Sequence, residues 1–206
     1  MYLIFDTETN SNRIRSIDKI ADELDKWPRI TQLSWQLYNS EQILIHERDY
    51  FIKPDGWTIP TDDPFFIDNK MSTEKCEEHG FPIDQVLAEF ITTMVLADFL
   101  IAHNERFDRV MVKSELFRLG QKDPLNEYKW PEMICTMKQG KEVAQAKNKK
   151  GHPKNPNLKE LYKALFFKDF ANAHDASADT QATADCFFAL LNRGVIQIKQ
   201  ANETTI

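Results

Sequence analysis

The chain commits to a strand almost at once. Tyr2-Leu3-Ile4-Phe5 is a run of large apolar side chains that stops at Asp6-Thr7-Glu8-Thr9-Asn10. Such a run reads as a buried strand that ends in a polar turn. A buried strand must be covered by other layers, and the rest of the sequence supplies them in mixed order. Ile30–Tyr38 alternates at strand period, with Leu33, Trp35 and Leu37 turned inward and Gln32, Ser34 and Gln36 on the other side. Ile43–Ile52 gives a further strand, closed by the turn Pro54-Asp55-Gly56. Ile83, Val86, Leu87, Phe90, Ile91 and Met94 recur at helical spacing. Phe99–Ala102 is a short apolar strand, and Phe107, Val110, Met111 and Phe117 outline the helix after it. Leu158–Phe167 and Ala178–Leu191 read as helices, and Ser72 or Thr73 caps a short one that Gly80 ends. Arg13–Lys26 is a loop or an exposed helix, Thr58–Met71 is loop-like, and Gly140–Asn157 reads as a mobile loop. An α/β sheet flanked by helices follows from this order.

At 206 residues the chain suits a single domain. No stretch approaches the roughly 20 apolar residues of a membrane span, so no membrane partner is expected. The N-terminus has no basic region and does not read as a signal peptide. Cys76, Cys135 and Cys186 are odd in number and far apart. A disulfide scaffold or zinc site is therefore not expected, and a reducing cytoplasm fits. The net charge of −6 argues against coating nucleic acid through bulk charge. That charge is uneven, however. Between Lys138 and Lys168 nine lysines stand against Glu142 and Glu160, a local balance of +7 that leaves −13 for the remainder. This strip is either a solvated lysine-rich surface or a face that meets phosphates.

Three acidic clusters sit at element ends. Residues two apart in a strand share a side, so Asp6 and Glu8 can face one point. Magnesium takes oxygen ligands in octahedral geometry, although a bare D-x-E equally describes a polar turn. Asp108 lies in the first turn of the helix that follows His103-Asn104-Glu105-Arg106-Phe107, where the helix dipole alone would stabilise a carboxylate. In His174-Asp175-Ala176-Ser177-Ala178-Asp179, one continuous helix would set His174 and Asp179 about 140° apart. His174 is therefore placed in the loop before the helix and Asp179 in its first turns, with Asp175 or Ser177 as the N-cap.

Taken in order, D-x-E, H-N-x-x-F-D and H-x-A-x-x-D-x-x-A-T resemble the DEDDh branch of the DnaQ-like 3′→5′ exonucleases, including the exonuclease domains of DNA polymerase III epsilon-subunit type. Trp27–Leu33 and Asn157–Tyr162 resemble family segments between these motifs, so the likeness spans about residues 1–192, with 193–206 a short polar tail. The resemblance implies a ribonuclease H-like fold, a mixed five-stranded sheet flanked by helices on both faces. It implies two Mg²⁺ or Mn²⁺ ions, with Asp6 bridging both, Glu8 and Asp179 on the first and Asp108 on the second. Two such ions, about 4 Å apart, stabilise the attacking and departing oxygens of an in-line displacement. His174 is the implied general base, and an imidazole suits that role near neutral pH. Glu8 counts among the catalytic groups as well as the ligands. Thr7, Thr9, Asn104 and Phe107 are candidate substrate contacts, Phe107 either stacking on a base or packing in the core.

The expected activity is release of 5′-mononucleotides from single-stranded or 3′-terminal nucleic acid, with DNA favoured. The alternatives are an RNA-processing enzyme of the ribonuclease T or oligoribonuclease type and a non-catalytic nucleic-acid-binding adaptor. Family members either pair as homodimers or join a polymerase, which leaves both partners open. Two departures stand out. Asn10 occupies a position where the family often has Gly, and asparagine tolerates the left-handed conformation a turn there needs. Glu105 adds an acid inside the second motif, either facing solvent or influencing the metals from outside.

Overall fold

The computed structural model of the protein describes residues 1–11, 24–121, 130–171 and 173–198. Five strands form one sheet: β1 (Tyr2–Thr9), β2 (Ile30–Tyr38), β3 (Leu44–Phe51), β4 (Phe99–Ala102) and β5 (Glu132–Cys135), in spatial order β3-β2-β1-β4-β5. β1 is central. It runs antiparallel to β2, with Asp6 opposite Ser34 and Glu8 opposite Gln32, and parallel to β4, with Ile4 opposite Ile101. The β1–β2 ladder shifts register between Glu8 and Thr9, which closes the pairing where the acidic pair stands. The helices are α1 (Pro64–Asp68), α2 (Thr73–His79), α3 (Ile83–Met94), α4 (Glu105–Arg118), α5 (Thr136–Gln139), α6 (Lys141–Ala144), α7 (Leu158–Phe166) and α8 (Ala176–Asn192). They cover both faces, as the ribonuclease H-like expectation required.

The alternation of β1 divides the core in two. Leu3 and Phe5 point into one cluster with Leu33, Trp35 and Leu37 of β2, Phe90 of α3 and Met111 of α4. Phe90 meets the rings of Phe5 at 5.4 Å and Trp35 at 5.5 Å. Such aromatic pairs contribute about 0.5–1.5 kcal/mol each beyond burial. Tyr2 and Ile4 point the other way, into a cluster with Leu161 and Leu165 of α7 and Phe187 and Leu190 of α8. β2 is buried on both faces, not on one. Its polar set is shared between α8 and β3: Gln36 Nε2 donates to Gln181 Oε1 (3.0 Å) and the Thr180 hydroxyl to the Ser34 carbonyl, while Gln32 Nε2 donates to Asp49 Oδ1 (2.8 Å) and the Ser34 hydroxyl to the Arg48 carbonyl (3.1 Å).

Several expected elements differ. Thr58–Met71 contains the short helix α1, whose N-cap Asp63 accepts from the Phe65 amide and whose first position is Pro64. β5 carries no strand signal of its own and is made by pairing with β4. Residues 140–157 form α6 and a hydrogen-bonded hairpin, not an unstructured loop. In the tail, Ile196 is buried beside Leu190, while residues 199–206 lie outside the described residues. Most of the Arg13–Lys26 segment also lies outside them, apart from a 3₁₀ turn at Leu24–Lys26. Among the described residues, no helix is long and apolar enough to cross a membrane.

Candidate active site

The site forms at the carboxyl ends of β1 and β4, where loops leave the sheet. Strand alternation turns Asp6 and Glu8 towards the α8 face, in line with Tyr2 and Ile4. Thr7 turns the opposite way, towards α4. Its amide and its hydroxyl both donate to Asp108 Oδ1, at 3.1 and 2.8 Å. Asp108 is therefore a buried group on the inner side of α4, held against the strand that carries the acidic pair.

The N-terminus of α8 brings the remaining groups. Asp175 caps the helix, its Oδ1 accepting from the Ala178 amide (3.2 Å). Gln32 of β2 steadies the same turn by accepting from the Ala176 amide (3.3 Å). His174 precedes the cap in a left-handed conformation (φ 74°). Its amide donates to Asp179 Oδ2 at 3.2 Å. The other oxygen of Asp179 is buried and has no hydrogen-bond partner. A buried, unpaired carboxylate oxygen costs free energy unless something outside the chain satisfies it. Ligand atoms of Glu8, His174 and Asp179 all lie within 4.8 Å of one another, close enough to share one cation.

The electrostatics agree with that demand. Burial and mutual repulsion push Asp6 well above the usual carboxylate range, burial raises Glu8 to about 8, with Asp179 and Asp108 adding to it, and burial raises Asp179 to about 6. Asp108 rises to about 7 through burial, even though the Thr7 donors favour its charge. Among the described residues none of the four has a lysine or arginine within ion-pair distance. Four acids that are difficult to ionise together suit divalent cations, which favour oxygen donors and neutralise the repulsion. His174 is moved in the other direction, its pKa lowered by desolvation and by the nearby Lys159 ammonium.

The exonuclease family RNase_T matches residues 3–187. The chain belongs to this family. That span includes all three motifs, and the order of their residues places the chain in the DEDDh, DnaQ-like group. Structural neighbours include E. coli exonuclease I in complex with a dT13 oligonucleotide and the zinc-ion-bound form of the E. coli ExoI–ssDNA complex, each with TM-score 0.71, 18% identity and 93% of this chain covered. A product-bound exonuclease I gives TM-score 0.71 at 16% identity, again over 93% of this chain. The chain spans 40–43% of the length of these neighbours. No curated protein matches the sequence at a significant level.

Two adjoining clefts open on the candidate site. One, of about 440 Å³, is lined by Asp6, Glu8, Asp108, His174 and Asp179 together with Asn104, Phe107, Lys154 and Asn155. The other, of about 600 Å³, runs past Thr7 and Thr9 to Phe65 and Phe107. Phe107 belongs partly to both alternatives: it packs against the core yet lines both clefts. Asn104 is exposed in the left-handed region (φ 73°). The Thr9 hydroxyl donates to the Ser11 carbonyl (2.7 Å), so both candidate threonines have their hydroxyls engaged within the protein.

Sequence reasoning missed one neighbour of this site, and the structure specifies the roles of three others. Phe65 of α1 stands edge-on to the His174 ring, centroids 5.1 Å apart; the cap pair Asp63-Pro64 was the signal for its helix. His103 stands beside the carboxyl cluster and joins α5 to the segment before α7, one ring nitrogen at 3.0 Å from the Thr136 hydroxyl and the other at 3.1 Å from the Pro156 carbonyl. Burial lowers its pKa to about 4, so the bridge is a neutral imidazole. Glu105 does not face solvent: it is buried, 3.2 Å from Arg109 and 3.8 Å from Lys138. Asn10 is not left-handed. Its side chain instead joins the Arg29 amide (2.9 Å) to the Thr58 carbonyl (3.1 Å), tying the end of β1 to the cleft wall.

Proposed function

We propose that the protein is a 3′→5′ exonuclease that shortens nucleic acid one nucleotide at a time, DNA in preference to RNA. Asp6, Glu8, Asp108 and Asp179 hold two Mg²⁺ or Mn²⁺ ions. The observation that carries this reading is the convergence of these four carboxyls without a cationic partner, with one Asp179 oxygen buried and unsatisfied. The family match supports the exonuclease chemistry, and the single-stranded DNA bound by the neighbouring exonuclease I structures supports the DNA preference. When bound, the cations supply Lewis acidity and offset charge at the reacting phosphate.

The chain's own groups perform the remaining tasks. His174 is neutral at pH 7 because its pKa is lowered, so a ring nitrogen can accept the proton of the attacking water. The water oxygen forms the new bond to phosphorus, the bond to the 3′ oxygen breaks, and that oxygen takes a proton from solvent. Phe65 limits rotation of the His174 ring. Thr7 fixes the orientation of Asp108 through two donors. The larger cleft accepts the terminal nucleoside, with Phe65 and Phe107 as apolar walls.

The test is digestion of 5′-labelled DNA and RNA oligonucleotides side by side with Mg²⁺ or Mn²⁺. Wild type is expected to release 5′-mononucleotides, faster from DNA, while Asp6→Ala and Asp179→Ala fold and release none. Activity retained in either variant overturns the assigned chemistry. Binding without release in the wild type establishes the adaptor, and faster digestion of RNA reverses the sugar preference.

A further inference from the structure

The lysine-rich strip is not spread evenly over the surface. Its centre is a compact hairpin, closed by the Lys154 amide donating to the Ala146 carbonyl (2.9 Å) and the Asn148 amide donating to the His152 carbonyl (2.8 Å). Asn148 organises the tip, its side-chain oxygen accepting from the amides of Lys150 (2.9 Å) and His152 (3.0 Å). Gly151 at φ 82° completes the turn. The tip therefore has a defined shape, and Lys149 and Lys150 stand exposed on it, with Lys147 exposed at its base.

The hairpin is also fixed to the active site. Its descending arm supplies Lys154, Asn155 and Pro156 to the wall of the cleft that contains the four carboxyls. Pro156 is held by the half-buried His103, and Lys154 by Glu160 at 2.7 Å. In contrast to Lys154, Lys147, Lys149 and Lys150 have no ion-pair partner among the described residues. Lys147, Lys149 and Lys150 do not line that cleft, so the base and tip of the hairpin stand outside the space that holds the four carboxyls. The hairpin projects unneutralised positive charge next to a site whose protein body is acidic.

From this geometry we infer that the hairpin 146–154 is a phosphate-contacting arm: Lys147, Lys149 and Lys150 meet the backbone of the nucleic acid several nucleotides 5′ to the scissile bond. This rests on the exonuclease reading for its direction, but its binding consequence stands by itself. The bland alternative is a solvated turn, which predicts no dependence of binding on these lysines. A phosphate arm gives affinity that falls with salt, by a slope of about −0.7 per single-strand phosphate contacted. Three contacts therefore account for a slope of about 2, equal to a factor of up to about 100 in affinity at 0.1 M salt relative to 1 M.

The experiment compares the full chain with its K147Q/K149Q/K150Q variant. Binding of fluorescein-labelled dT20 is followed by anisotropy in EDTA over a salt series, and digestion of dT20 and of the dinucleotide dTpT is followed with Mg²⁺. The variant is expected to bind dT20 about 10–100-fold more weakly at 0.1 M salt, with a salt slope shallower by about 2. Its kcat/KM should fall at least tenfold more on dT20 than on dTpT. Equal salt slopes for the two proteins overturn the arm, as does an equal loss on long and short substrates. If the wild type digests neither substrate, the exonuclease reading fails, and the slopes measured in EDTA still decide the arm.

Discussion

A protein that gathers four acids without their cations should become less stable as they ionise, and the pH at which this happens is set by the site. Glu8 titrates at about 8 in the folded chain against an ordinary 4.5, and Asp108 at about 7 against 3.8. Both folded values are raised, so the stability tied to their protonated forms is complete below the unfolded pKa and is lost as pH rises through the folded one. His103 acts in the opposite sense. Its folded value of about 4, below the ordinary 6.5, makes stability increase from pH 4 to 6.5 and then level off. The window above pH 6.5 is therefore governed by the acids. At about 1.4 kcal/mol per pH unit while a group is protonated only when folded, Glu8 loses about 2 kcal/mol between pH 6.5 and 8.5. Asp108 adds somewhat under 1 kcal/mol over the same interval. A loss of roughly 2–3 kcal/mol lowers Tm by about 5–10 °C for a chain of this size.

The assay is thermal unfolding in EDTA and in saturating Mg²⁺ at pH 6.5 and 8.5. In EDTA, Tm should fall by about that amount. Mg²⁺ should raise Tm more at pH 8.5 than at pH 6.5, because the ions bind the ionised acids. A metal-free Tm that is level or rising across the window refutes the reasoning. So does a Mg²⁺ effect of the same size at both pH values.

Three substitutions probe the supports of the site. Thr7→Val removes the hydroxyl that donates to Asp108; loss of one donor to a charged group costs about 1.5–3 kcal/mol, so kcat should fall about 10–100-fold and the Mg²⁺ requirement should rise, with Thr7→Ser restoring most activity in steady-state kinetics. His103→Ala breaks the bridge between Thr136 and Pro156, leaves polar groups unpaired at about 1–3 kcal/mol, and should speed limited proteolysis in the 146–156 segment. Glu115 is buried and accepts from Arg29, Arg118 and the Ile30 amide. Glu115→Ala strands two cations, and removing one partner of a buried pair costs about 3–5 kcal/mol, which denaturant titration should show as a lowered midpoint.

How much of this was legible in the sequence depended on the range of the interaction. Asp6 and Glu8 could be placed on one side of a strand because strand period is local. The caps at Ser72 and Asp175, and the helix Ile83–Met94, were legible for the same reason. β5 was not, because Glu132-Met133-Ile134-Cys135 becomes a strand only by pairing with β4 across a segment of more than 25 residues. β2 showed alternation that suggested one buried face. The polar face is in fact covered by α8, and no local pattern reports a partner 145 positions away. Phe65 escaped notice for a related reason: a single exposed aromatic in a loop-like segment has no period, and its value lies in the ring of His174 beside it.

The hydrogen bonds from Thr7 to Asp108 show why a central strand, and not a loop, carries the site. Successive residues of β1 point to opposite faces, so Asp6 and Glu8 meet α8 while Thr7, between them, grips α4. The three residues thereby set two helices on opposite sides of the sheet in fixed relation to one strand end. A displacement of α4 would have to break both donors of Thr7, and a displacement of α8 would disturb the contacts of Gln32 and Asp179. The carboxyls are held together by parts of the fold that are already packed, which is how mutual repulsion is withstood before any cation arrives. The same rigidity leaves Asp179 with a buried oxygen it cannot satisfy internally. The architecture thus keeps a destabilised cluster in place, and a divalent ion bound among the four carboxyls would offset their repulsion.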